Sequence, residues 1–199
     1  MELQGVLPSQ EIRSFIHDGI ISSSAKINED SIQPASLDLT LGRECYKLGT
    51  STLPIDILEH LKSKLEELDI GNGLVLEPGI VYIVKLRERL KLPSNVRAYS
   101  NPKSTSGRLD LFVRLLTEKN PKFDMIPSGY EGDLYLEILS QSFPVIVSEG
   151  VSLNQVRFFK GDSDFNENAI RAYNFIDPLV FDREGKPVKS EQLVIDSLG

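Results

Sequence analysis

The chain has 199 residues, a net charge of −7, 40% hydrophobic and 26% charged residues, two histidines and one cysteine. That length fits one domain with appendages and can bury a real core, while the acidic balance argues against a general nucleic-acid binder, which needs a broad basic face. No apolar run approaches the roughly 18–20 residues of a membrane span, the opening MELQGVLPSQE does not read as a secretory signal, and the single Cys45 forbids an intrachain disulfide and fits a reducing cytoplasm.

In chain order, Pro8-Ser9 followed by QEIRSFIHDG predicts a short helix with Ile12, Phe15 and Ile16 on its apolar face, ended by Gly19. SIQPASLDLTLG alternates Leu37, Leu39 and Leu41 against Asp38 and Thr40, which is strand periodicity. Residues 55 to 68 carry Ile57, Leu58, Leu61, Leu65 and Leu68 at helical spacing. From residue 74 the signals are β: LVLEPGIVYIVKL around a Pro-Gly turn, LKLPSNVRAYS, LDLFVRLL, GDLYLEIL, and two strands in FPVIVSEGVSLNQVRFF. Many short strands separated by Gly and Pro turns predict a mainly β, closed or jelly-roll-like fold with a few short helices. After Phe159 the chain turns polar, and KGDSDFNENAIRAYN reads as a loop. Asp182-Arg183-Glu184-Gly185 gives a hairpin signal in the last segment. The expected organisation is a domain over 1–160 and a C-terminal arm or linker over 161–199.

Three places could carry chemistry. NPKSTSGRLDLF, residues 101–112, gathers Lys103, Ser104, Thr105, Ser106 and Arg108 around Gly107. Small residues let backbone N–H groups converge on an anion, and Arg supplies a fork that fits phosphate oxygens; a polar connecting loop accounts for the same composition equally well. In GDLYLEIL, alternation sets Glu137 on the face opposite Leu136 and Ile138. If those two fill the core, Glu137 either stands in solvent or walls a cleft, where it could act as a general base. Asp38, Gln155 and Arg157 are polar residues alternating on strands. Against these, His17 and His60 sit in helix-like segments without HExxH or CxxC spacing, and Cys45 lies in strand-like RECY. A zinc site of the usual N/S type and a Ser-His-Asp triad are therefore not expected, and Cys45 reads as a buried thiol.

Taken together, PASLDLTLG, NPKSTSGRLDLF, a Gly129-Tyr130-x-Gly132 turn running into LYLEI, and GVSLNQVRF resemble the dCTP deaminase and dUTPase superfamily. The similarity is greatest to the N-terminal half of the two-copy bacterial 2′-deoxycytidine 5′-triphosphate deaminase, over roughly residues 5 to 160. The resemblance implies a distorted jelly-roll β-barrel of the dUTPase-like type and a cytoplasmic homotrimer with sites between subunits, a second homologous half being a further partner it allows. It implies a small-molecule substrate, dCTP, with Mg2+ bound through the triphosphate and no zinc, and neither nucleic acid nor membrane as partner. Lys103, Ser104, Thr105, Ser106, Tyr130 and Gln155 fall at substrate-binding positions; Glu137 matches the general acid/base, and Arg108 would hold the attacking water. The HxE and PCxxC signature of zinc deaminases is absent.

The sequence also departs from the family pattern. Pro127 stands where the family has the aspartate that, in dUTPases, activates water. Lys103 replaces an arginine, Glu118, Lys119 and Asn120 are extra, and the tail lacks a basic, tyrosine-rich closing segment. The alternatives are accordingly a dUTPase-like pyrophosphohydrolase, which Pro127 opposes, and a non-catalytic nucleotide-binding or assembly member.

Overall fold

A computed structural model describes residues 4–48, 66–161 and 165–195. Contacts divide the chain into two compact units, Met1–Gly161 and Asp162–Gly199.

The first unit opens with β1 (Gly5–Val6) and helix α1 (Ser9–His17), whose Ile12 and Phe15 are buried as the spacing predicts. Then come β2 (Ile21–Ser23), β3 (Ile32–Gln33), β4 (Ser36–Leu39) and β5 (Leu41–Leu48). The predicted helix over 55–68 lies outside the described residues up to 65. Its last part is instead strand β6 (Glu66–Asp69), where Leu68 pairs with Cys45 of β5; the sheet edge takes up these residues despite their helical spacing. The chain continues through β7 (Leu74–Leu76), β8 (Val81–Lys91), β9 (Val96–Pro102), helix α2 (Ser104–Arg108), β10 (Leu111–Thr117), β11 (Met125–Ile126), β12 (Glu131–Ser140), β13 (Val145–Val147) and β14 (Asn154–Lys160).

One large sheet runs β11-β9-β14-β4-β3, with β1 on β14; a second runs β10-β12-β8-β5-β6, with β2 on β8; and β13 pairs with β7 in a small two-stranded sheet. All described pairs are antiparallel. Neither large sheet closes on itself, and the jelly-roll character lies in two sheets sharing one core. Leu37, Leu39, Val156 and Phe158 of the first meet Val84, Leu86, Leu136 and Ile138 of the second in one buried cluster. The chain crosses between sheets at Thr40, between β4 and β5. Glu88, buried on β8, pins that corner: its carboxylate accepts from the Thr40 N–H at 2.9 Å and the Thr40 hydroxyl at 2.6 Å. Desolvation raises the Glu88 pKa, and the two Thr40 bonds oppose the rise.

The second unit contains helix α3 (Glu167–Ile176), where the composition predicts a loop. The Asn166 side chain caps it by accepting from Ala169 N at 2.9 Å, and Arg171 reaches back one turn to Glu167. The buried Asn174 donates to Val188 O at 2.8 Å and accepts from Leu179 N at 2.8 Å, gathering the segment that follows. The predicted hairpin forms, with Phe181 bridged to Pro187 and Gly185 N donating to Asp182 O. No described helix is long and apolar enough to cross a membrane.

Candidate active site

Register places the candidate acid/base. On β12, Leu134, Leu136 and Ile138 enter the main core, so Tyr135 and Glu137 face the other way. That outer face is also covered: Tyr46, Ile83, Leu116 and Tyr135 form a second buried cluster, and Glu137 is 1% exposed. The solvent-exposed reading of Glu137 is thereby overturned. A buried carboxylate needs a counter-charge. It comes from Arg114, directly opposite on β10, whose Nε donates to Oε1 at 3.1 Å while Nη2 donates to the same oxygen. The guanidinium lies 3.7 Å from the Phe123 ring centroid and 4.9 Å from that of Phe112.

Arg108, which the resemblance implies holds the attacking water, is exposed at the end of α2 and makes no bond to Glu137 within the chain. The reason is distance along the ladder: β10 begins three residues after Arg108, and Arg114 is the residue that reaches the position opposite Glu137. Nothing in the sequence singles out Arg114, because pairing register is invisible in one strand taken alone.

The hydroxyl-rich loop forms at the end of β9. Lys103 N donates to Leu153 O at 2.9 Å, and the buried Ser106 hydroxyl donates to the same carbonyl at 2.8 Å. Ser106 therefore ties the loop down, and Ser104, Thr105 and Arg108 are left exposed. Lys103 is half-buried and its ammonium donates to the Asp38 carboxylate on β4. Gln155 pairs with Asp38 on one side and Asn101 on the other, and its side chain accepts from the Ser36 hydroxyl at 3.1 Å. Lys103, the exposed hydroxyls and Gln155 thus share one end of the first sheet.

Tyr130 closes the turn Pro127–Tyr130, with Gly129 at φ +72. Its ring is buried, and its hydroxyl donates to Asp133 O at 2.5 Å and accepts from Glu118 N at 3.3 Å. Burial pushes the phenol up to about 12. Within the chain this side chain is engaged in holding the turn rather than presented with the loop. Asp124, beside the substituted Pro127, is likewise committed: its carboxylate accepts from Leu115 N at 2.7 Å, and desolvation raises its pKa. It holds backbone, and Pro127 supplies no carboxylate in its place.

Comparison with known proteins sets the chain in the dCTP deaminase and dUTPase superfamily of enzymes. Residues 3–162 match the family described as 2′-deoxycytidine 5′-triphosphate deaminase (DCD) N-terminal domain, and the chain belongs to it. A dCTP deaminase of Agrobacterium tumefaciens superposes with a TM-score of 0.79 at 40% identity, over 88% of this chain and 54% of its own. This chain therefore spans about half the length of that relative. A dUMP-forming dCTP deaminase of Sulfurihydrogenibium sp. is 27% identical over 158 residues, 78% of this chain and 83% of its own. The dCTP deaminase of Ignicoccus hospitalis is 26% identical over 161 residues, 79% and 84%. These matches support dCTP deamination as the function.

Proposed function

We propose that the chain itself deaminates dCTP hydrolytically, giving dUTP and ammonia, with Glu137 as the general acid/base. The observation that carries this is the placement of Glu137, a charged side chain 1% exposed on the strand face turned away from the main core. Burying a carboxylate there costs stability, and a chemical role is a reason for the chain to keep it.

The Glu137 carboxylate takes a proton from water as the water oxygen bonds to C4 of cytosine. The resulting carboxylic acid delivers that proton to the exocyclic nitrogen, the C4–N bond breaks and ammonia leaves, and the second water proton passes from the oxygen on C4 to N3 to give the uracil ring. A base so placed contributes roughly 10²- to 10⁴-fold. Lys103, Ser104 and Thr105 take the triphosphate oxygens, and Gln155, at the same sheet end, lies within the substrate-binding surface. The donors at the loop are hydroxyls, an ammonium and a guanidinium, which suit phosphate oxygens and not a cation. Magnesium accordingly arrives on the triphosphate, and no residue is assigned to it.

Arg108 is exposed at the end of α2, open to a neighbouring subunit, and the assembly proposed is a homotrimer in which one subunit's Arg108 holds the water for its neighbour's Glu137. The chemistry then belongs to residues 1–160 and an arm or linker role to 161–199. Phe175 and Ile176, 82% and 81% exposed, make the second unit suited to packing on a partner, whether another subunit or a second homologous half. The buried thiol of Cys45 suits the reducing cytoplasm.

Purified chain incubated with magnesium and either dCTP or dUTP tests the reading. Ammonia from dCTP, lost in Glu137→Gln with dCTP binding retained, is the expected result. Pyrophosphate released from dUTP without ammonia from dCTP would make it a pyrophosphohydrolase, and binding without turnover would make it a non-catalytic member. A native mass of three chains is expected; a monomer that turns over dCTP would sink the intersubunit site.

A further inference from the structure

We propose that Arg114 is the positioning residue for Glu137, held in place by the Phe123 loop. The proposal rests on the deaminase reading above. Glu137 has two cross-strand neighbours, Ile83 on β8 and Arg114 on β10. Ile83 is fully buried and offers no polar group, while the Arg114 guanidinium reaches the carboxylate directly. Nε and Nη2 both donate to Oε1, which fixes the position of that oxygen.

An arginine side chain has several rotatable bonds and orients a partner only if it is itself held. Phe123 and Phe112 supply that restraint as cation–π partners of its guanidinium. Phe123 in turn stands on a loop fastened at several points. Asn120 Nδ2 donates to Met125 O at 2.7 Å, the Asp124 carboxylate accepts from Leu115 N, and Lys119 and Asp124 adopt left-handed backbone with φ +58 and +59. The extra residues around Glu118–Asn120 thus build the support for Phe123. The line of restraint runs from this loop through Phe123 and Arg114 to the proton-transferring carboxyl.

Steady-state kinetics with dCTP tests this. In Arg114→Ala, kcat falls about a hundredfold, the loss expected of a misplaced catalytic group, while KM changes less than threefold. Added guanidinium ion restores part of kcat in that variant and leaves the wild type unaffected. Arg114→Lys keeps the charge and loses the fork, so kcat falls about tenfold; Phe123→Leu gives an intermediate loss. If Arg114→Ala does not fold, the Lys and Leu variants decide. Wild-type kcat in both, or an Arg114→Ala enzyme within threefold of wild type, overturns the proposal. A wild-type chain that releases no ammonia fails the deaminase reading instead, so the two failures are told apart.

Discussion

The Lys103 ammonium donates to the Asp38 carboxylate, joining the hydroxyl-rich loop after β9 to strand β4 across 65 positions of sequence. Asp38 is nearly buried and Lys103 half-buried, so the pair holds the loop over the sheet end where Gln155 lies. Lys103→Met removes both a phosphate contact and the counter-charge of a largely buried carboxylate. We expect KM for dCTP to rise about tenfold, the value of one charge-assisted bond, with kcat within about threefold. Stability should fall by roughly 1–3 kcal/mol from the stranded Asp38. Adding Asp38→Asn should recover most of that stability and none of the KM. A double variant with wild-type KM would mean that Lys103 only fastens the loop.

The second prediction concerns Gly132, directly beneath Tyr130. A Cβ built there would lie 2.6 Å from the Tyr130 hydroxyl oxygen and 2.9 Å from the ring carbon bearing it. Tyr130 cannot withdraw without breaking its bond to Asp133 O. Gly132→Ala should therefore destabilise the chain by about 1–3 kcal/mol, the usual cost of overpacking. Chemical denaturation measures it, and an unchanged midpoint would show that the turn yields freely.

The strands and the outward direction of Glu137 were legible because alternation is a property of one segment: LYLEI is enough to separate Leu136 and Ile138 from Glu137. The loop at 103–108 was legible through composition. Arg114 was not, since its importance comes from lying opposite Glu137, and register depends on the turns linking two strands. The duties of Ser106 and Tyr130 were hidden for a similar reason, as both bond to backbone of distant or turned segments. Helix α3 has a signal in the sequence: Asn166 is an N-cap residue, and Glu167 stands four residues before Arg171. Leu68 misled in the opposite direction, its helical spacing losing to an available sheet edge.

Glu88 gives a prediction in pH. Its folded pKa is raised above the ordinary 4.5 by burial, so the folded chain holds that proton more tightly than the unfolded chain does. Below 4.5 both states are protonated and the contribution is complete; it is lost as pH rises through the raised folded value. Glu88→Gln keeps an acceptor for the Thr40 N–H and removes the charge. The stability difference between variant and wild type should move in favour of the variant between about pH 4 and pH 8. Urea midpoints across that range check it; a constant difference would mean that the folded chain holds the Glu88 proton no more tightly than the unfolded chain does.

Cys45 separates a structural thiol from a nucleophile. It is fully buried on β5, paired across the sheet with Leu68 and Val84, and desolvation pushes its pKa up to about 12. Thiolate is the reactive form, so at pH near neutrality the native chain should resist an aromatic disulfide reagent and take up one equivalent only when denatured. Cys45→Ala leaves a one-sulfur gap in the core and should cost about 1–2 kcal/mol, while the deamination rate stays within about twofold. Rapid native labelling would contradict the buried thiol, and loss of turnover in a folded Cys45→Ala chain would return the cysteine to the mechanism and displace Glu137 as the sole group exchanging protons with the pyrimidine.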